Sequence, residues 1–280
     1  MSEMLFKALT HRTPIRVALA RHFIKQFSLF SYEQRLTIGA VDRPNYGYCI
    51  FQAARLARLL KIARISVIEF GCGGGNGLVS AERHIDEVTK LFDVGIDLYG
   101  FDNGSGLPAP RDYRDMPHYF RAGLYEMDRA SLERKLKSAK LVIGDIGQTA
   151  AHFLEQFRPA PIGCMFFDLD FYSSTRDAMT LLDGGSSYFL PRAFMYFDDI
   201  VGDDTWLCNE FTGERLAIDE YNRRHETRKI CKDYFVSNRY PNSWWTDLIY
   251  IHHDFAHPRY NDFIAEREQA RHEGSIRLMR

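Results

Sequence analysis

The apolar run Ile65–Phe70 leads directly into Gly71-Cys72-Gly73-Gly74-Gly75-Asn76-Gly77, and a helical pattern begins at Leu78. A strand that hands over to a helix through glycines at 71, 73, 75 and 77 narrows the fold sharply. Alternating glycines cost backbone entropy that an ordinary turn does not require, so such a loop belongs where the backbone must approach something a Cβ would exclude. At the N-terminus of a helix, that something is a nucleotide-like cofactor. The dinucleotide fingerprint GxGxxG needs its third glycine at position 76, where this chain has Asn76, and the tighter GxGxG spacing with Glu69 two residues ahead also departs from it. NAD and FAD are therefore disfavoured.

From about residue 44 the chain alternates β-branched or aromatic runs with helical patterns, as a mainly parallel sheet covered on both faces requires. The expected strands are Ile65–Phe70, Ile96–Phe101, Lys140–Ile143, Ile162–Asp168 and Ala193–Phe197. Between them, Gln52–Leu60, Leu78–Phe92, Leu132–Ser138, Thr149–Phe157 and Thr175–Leu182 space apolar residues three or four apart and read as helices. A helix over Glu214–Arg223 precedes two β-like runs, Lys229–Val236 and Thr246–His252, joined by the turn-forming segment 238–243. Two strands with no helix between them predict an antiparallel edge. The expectation is an α/β fold, Rossmann-like and doubly wound, with a mainly parallel seven-stranded sheet. Residues 45–280 would form this domain and residues 1–44 a helical extension.

At 280 residues, with 45% hydrophobic and 26% charged side chains, the chain can bury a large core. Lys plus Arg number 36 against 37 Asp plus Glu, so the basic footprint of a nucleic-acid binder is missing and nucleic acid is not an expected partner. The five cysteines, Cys49, Cys72, Cys164, Cys208 and Cys231, are odd in number and lack CxxC pairs, which favours a reducing, cytoplasmic setting over disulfides or zinc. No apolar run reaches the roughly 18 residues needed to span a bilayer.

In an open parallel sheet, ligands sit outside the carboxyl ends of the strands, so the residues that follow each strand are the candidate site. Asp102 follows the second strand, where a carboxylate can accept both hydroxyl hydrogens of a ribose or, alternatively, cap the turn 103–106. Asp145 follows the third and can accept from an adenine amino group or cap the next helix. The fourth strand ends in Asp168-Leu169-Asp170 and the fifth in Asp198-Asp199. Neighbouring strand ends crowd these carboxylates into one small volume, where repulsion is costly unless a cation or protons neutralise it. A hard divalent ion with oxygen ligands, Mg²⁺ above all, meets that need and supplies Lewis acidity to a substrate hydroxyl. The alternative is that the aspartates cap helices and face water.

The segment acidic-x-Gly-x-Gly-x-Gly resembles the donor-binding loop of class I S-adenosylmethionine-dependent methyltransferases. Together with Phe101-Asp102-Asn103-Gly104-Ser105-Gly106-Leu107-Pro108, Asp168-Leu169-Asp170-Phe171-Tyr172-Ser173-Ser174-Thr175 and Asp198-Asp199, it is similar to the macrocin-type, metal-dependent O-methyltransferases. That resemblance spans residues 65–200. It implies donor contacts from Glu69, Gly71, Cys72, Gly73, Gly75, Asn76, Asp102 and Asp145, metal ligation by Asp168, Asp198 and Asp199, and Asp168 or Asp170 as general base. The acceptor it implies is a hydroxyl of a sugar or small secondary metabolite. Catechol-type enzymes place a lysine three residues after the first aspartate, but this chain has Phe171 there, so no lysine base is implied. An S-adenosylmethionine-binding protein without metal-dependent catalysis, and an NAD-dependent oxidoreductase, are the alternatives.

Four further features complete the reading. Tyr46 and Tyr48 precede the first strand and are expected either to close over the methionine end of the donor, Tyr48 foremost, or to pack in the core. The irregular stretch Leu107–Pro117 is a candidate lid, and His118 beside it a catalytic outsider. His252 and His253 are expected to be structural or surface residues. In residues 1–30, Lys7, Arg12, Arg16, Arg21 and Lys25 oppose only Glu3, with Ile15, Leu19, Phe23, Phe27 and Phe30 at near-helical spacing. The expectation is a helix packing its apolar side on the domain or on a second copy of the chain, with a transit peptide or membrane-surface helix as the alternative.

Overall fold

The computed structural model describes residues 15–27, 30–240 and 243–276; Glu3, Lys7, Arg12 and turn residues 241 and 242 lie outside the described residues. Along the chain run α1 (Ile15–Phe27), α2 (Tyr32–Thr37), α3 (Pro44–Leu59), β1 (Arg64–Phe70), α4 (Asn76–Phe92), β2 (Gly95–Asp102), α5 (Arg129–Lys135), β3 (Lys140–Ile143) and α6 (Ile146–Phe157). These are followed by β4 (Ile162–Phe167), α7 (Tyr172–Ala178), β5 (Phe189–Phe197), α8 (Gly213–Arg224), β6 (Arg228–Lys232), α9 (Val236–Arg239), β7 (Ile249–Asp254) and α10 (Glu266–Ile276).

The strands form one seven-stranded sheet in the order β3-β2-β1-β4-β5-β7-β6. β1 to β5 pair in parallel, whereas β7 is antiparallel to both β5 and β6. The antiparallel element is thus a single strand set one place in from the edge, and β6 at the rim runs with the other five. β4 is buried at every position, as a central strand sandwiched between helices must be. The order reverses between β1 and β4, which opens a crevice at the carboxyl ends of those two strands.

Departures from the sequence reading have local causes. α3 begins at Pro44, eight residues before the expected start, because proline at the first helical position needs no N–H partner. β5 begins at Phe189 and passes through Pro191 at a register irregularity against β4, the kind of place where a missing N–H is tolerated. β6 stops at Lys232 because Asp233 accepts from the N–H groups of Phe235 and Val236 and turns the chain into α9.

The N-terminal extension divides in two. Tyr32 and Leu36 of α2 are buried in the main core, and the Tyr32 hydroxyl meets His84 Nδ1 at 2.8 Å. α1 behaves otherwise: the face it turns to the domain carries Arg21, bonded to the Ile38 carbonyl and the Ser243 hydroxyl. Leu19, Phe23 and Phe27 are exposed, so among the described residues the expected packing of this apolar side on the domain does not occur. Among the described residues, no helix is long and apolar enough to cross a membrane.

Candidate active site

At the carboxyl ends of β1, β2, β4 and β5 lies a cavity of about 410 Å³, bounded by the glycine loop on one side and the aspartates on the other. The glycines of the loop do two different jobs. Gly71 has φ +84°, and a Cβ there would sit 1.8 Å from the Asp168 carbonyl oxygen, so this glycine lets the end of β1 touch the end of β4. At Gly77 a Cβ would meet Glu69 Oε1 at 1.8 Å. Gly73 and Gly74 are the open ones, with nothing nearer than 3.8 Å to a built Cβ, and both line the cavity. Gly75 does not line it: its missing side chain makes room for Leu132 of α5, which corrects its expected role in donor contact.

Asp102 lines the cavity and also holds the loop. Its Oδ2 accepts from the N–H groups of Cys72 and Gly73, both at 2.9 Å, and its Oδ1 accepts from Gly104 N–H at 2.7 Å. Three of about four lone-pair positions are thereby filled by backbone, which leaves capacity for one further donor. Of the two expectations for Asp102, the bond from Gly104 N–H is the turn cap, and the side chain also lines the cavity. Cys72 and Asn76 also face the cavity. Asp145 does so while capping α6 through Gln148 N–H at 3.2 Å.

Glu69 is 1% exposed at the cavity wall. Its Oε1 accepts from the Tyr46 hydroxyl at 2.7 Å, whereas Oε2 is buried without a partner. Burial pushes this carboxyl up to about 8, against the Tyr46 hydrogen bond and the nearby Arg43 guanidinium, with Asp102 adding repulsion. Tyr48 points elsewhere. Its hydroxyl donates to Asp233 Oδ2 at 2.7 Å, and its ring packs against Tyr240 and Trp245, so its expected place at the donor is corrected. Two residues apart on a helix means about 200° of rotation, so Tyr46 and Tyr48 cannot both face the site.

The aspartates converge as the parallel pairing of β4 and β5 demands. Asp168, Asp198 and Asp199 each present a carboxylate oxygen within 4.8 Å of the others. Asp199 Oδ2 accepts from Asp170 N–H at 2.7 Å, which helps hold Asp170 in the left-handed region at φ 59°. Tyr196 donates to Asp198 Oδ1. Burial first, then mutual repulsion, drives the Asp168 and Asp199 carboxyls well up; for Asp170, burial and Asp198 move it to about 7. A fully buried carboxylate that the sequence reading did not single out, Glu214 at the start of α8, braces this group: its Oε2 accepts from Asp199 N–H at 3.0 Å.

The stretch after β2 roofs the cavity. Leu107, Pro108, Arg111, Tyr119, Phe120 and Tyr125 line it, and Trp206 closes over from the loop after β5. Tyr119 and Trp206 stack with centroids 5.0 Å apart at 4°, and Phe120 meets Trp206 edge-on. Buried Asp115 anchors this roof to α7, accepting from Ser173 N–H at 2.8 Å and from the Ser173 hydroxyl at 2.9 Å. His118 is not among the residues lining the cavity; its Nε2 lies 3.0 Å from the Trp206 carbonyl, which makes it a roof contact. His252 is buried against the Tyr221 hydroxyl, and His253 meets the Tyr260 hydroxyl, both away from the cavity.

No protein-family model matches the chain, and no curated protein matches it. Solved structures to which it is similar include CalS11, a calicheamicin methyltransferase (18% identity over 76% of this chain and 86% of that one, TM-score 0.46). The O-methyltransferase NovP aligns at 16% identity over 64% of this chain and 71% of that one, TM-score 0.47. MycE methyltransferase from the mycinamycin pathway, in complex with Mg, SAH and mycinamycin VI, aligns at 12% identity over 72% and 48%, TM-score 0.41. Likenesses this distant assign no role to any residue here.

Proposed function

We propose that the chain transfers a methyl group from S-adenosylmethionine to a hydroxyl of a sugar or small secondary metabolite, with Mg²⁺ held by Asp168, Asp198 and Asp199. The observation that carries the reading is the orphaned Glu69 Oε2, buried at the wall of a cavity that joins a glycine loop to an aspartate trio. A buried carboxylate oxygen without a donor costs free energy unless a ligand supplies one, and the ammonium of an amino-acid cofactor is such a donor. The open backbone of Gly73 and Gly74 gives the cofactor's body a place beside the loop. The remaining lone pair of Asp102 suits a ribose hydroxyl, and exposed Asp145 suits the adenine amino group.

The acidic end fits a cation on the same kind of argument. Three carboxylates this close, two of them driven towards protonation, are relieved by a hard divalent ion with oxygen ligands. When bound, such an ion supplies Lewis acidity that favours ionisation of the acceptor hydroxyl. The protein's own part is positioning: Glu214 and Asp170 N–H fix Asp199, Tyr196 fixes Asp198, and the roof excludes water from the space between donor and acceptor. Asp170, or Asp168, is the carboxylate to receive the acceptor proton, and the elevated affinity of Asp170 for a proton suits that task near neutrality.

The test is label transfer from methyl-labelled S-adenosylmethionine to a panel of hydroxylated sugars and glycosides, with Mg²⁺ or with EDTA. Expected is transfer to oxygen that EDTA abolishes and that Asp198→Ala lowers about 100-fold or more. Transfer indifferent to both removes the cation from the mechanism. Saturable NAD binding with no donor binding would reverse the reading in favour of an oxidoreductase.

A further inference from the structure

Arg43 lies at the N-cap of α3, immediately before Pro44, with its backbone left-handed at φ 38° and no capping hydrogen bond from its side chain. Its guanidinium lies 5.3 Å from the centroid of the Tyr46 ring, the same tyrosine whose hydroxyl holds Glu69. Arg43 and Glu69 therefore reach the cavity wall beside each other, organised by one aromatic side chain. Burial works against the guanidinium charge, but Tyr46, Glu69, Asp168 and Tyr196 outweigh it and strengthen its hold on the proton. None of these neighbours is hydrogen-bonded to it. The other arginine lining the cavity, Arg111, is already engaged by Asp177 at 2.9 Å. Of the two, Arg43 keeps its fork of donors open to a ligand.

We propose that Arg43 binds the α-carboxylate of the donor, so that Arg43 and Glu69 form a clamp for the zwitterionic amino-acid end. This assignment rests on the S-adenosylmethionine reading of the site. The ammonium satisfies Glu69 Oε2, and the carboxylate beside it needs a cation, because an unpaired carboxylate in a partly buried wall is costly. A guanidinium pairs with a carboxylate through two parallel hydrogen bonds, which an ammonium cannot do. A left-handed backbone at a non-glycine residue is a conformation that persists at ligand clamps where the surroundings over-determine it.

The experiment titrates the full chain and its Arg43→Met and Arg43→Lys variants with S-adenosylmethionine, decarboxylated S-adenosylmethionine and 5′-methylthioadenosine. The second ligand lacks only the carboxylate and the third lacks the whole amino-acid end. Arg43→Met is expected to weaken S-adenosylmethionine about 10- to 100-fold and the other two less than about 2-fold, with Arg43→Lys between. Retained binding of 5′-methylthioadenosine certifies that the variant is folded. Equal weakening of all three ligands, or of none, overturns the assignment while leaving the donor reading intact, including the case in which only acceptor binding suffers. A wild-type chain that binds none of the three overturns both.

Discussion

Tyr46 donates its phenolic hydrogen to Glu69 at 2.7 Å and leaves the second oxygen of that buried carboxylate without a partner. Burial places the Glu69 carboxyl at about 8, above its ordinary value of 4.5. The ligand-free folded chain thus binds a proton that the unfolded chain releases, so the stability it contributes is fully present below 4.5 and is lost as pH rises through about 8. Glu69→Gln should flatten stability against pH in this window by up to about 1.4 kcal/mol per pH unit. Urea unfolding at pH 5.5, 7 and 8.5 reads it; parallel curves for the two proteins would contradict the environment described for Glu69.

Asp102 is the anchor of the glycine loop. Removing its carboxylate in Asp102→Ala frees the N–H groups of Cys72, Gly73 and Gly104 at once. Expected is a loss of about 1–3 kcal/mol in stability and a 10- to 100-fold weaker affinity for S-adenosylhomocysteine. Denaturant unfolding and calorimetry measure the two. Unchanged ligand affinity would mean that loop order and donor binding are independent.

Substitution along the loop should separate its two kinds of glycine. Gly71→Ala drives a Cβ into the Asp168 carbonyl and is expected to cost about 3 kcal/mol or more. Gly73→Ala meets open space and carries only the penalty of its φ of 44°, about 1–2 kcal/mol. Thermal unfolding of both variants decides it, and a Gly73→Ala protein as damaged as Gly71→Ala would show that packing, not room for a ligand, governs both sites.

Trp206 roofs the cavity by stacking on Tyr119 and lies away from the glycine loop in sequence. Trp206→Ala should raise the KM for acceptor roughly 3- to 30-fold while leaving donor affinity within about 2-fold. Steady-state kinetics with each substrate varied in turn tests this. A variant that loses donor affinity to the same extent would move Trp206 from the acceptor side to the donor side.

Much of this site could be read in advance because its residues follow strands. β3 is bounded as expected at Lys140 and Ile143, and Asp102, Asp168 and Asp198 come at, or directly after, the ends of apolar runs that form inner strands, with Asp145 two residues past the edge strand β3. What escaped depends on contacts between distant segments. Glu214 reaches Asp199 across the length of the loop after β5, and nothing in its local pattern separates it from an ordinary first-turn glutamate. Arg43 was findable through Pro44: a helix that starts at Pro44 puts Arg43 at its mouth and turns Tyr46, not Tyr48, towards Glu69. For α1, periodicity fixes that the helix has an apolar face but not whether the domain or a second copy of the chain covers it.

The central claim is that this cavity binds an adenosyl amino-acid donor beside a cation. Calorimetric titration of S-adenosylhomocysteine into the wild-type chain in the presence of Mg²⁺ tests it most directly, with Glu69→Gln alongside. One saturable site per chain, weakened in the variant, is the predicted result. An absence of binding up to about 1 mM ligand, where even an affinity of −4.1 kcal/mol would register, would contradict it.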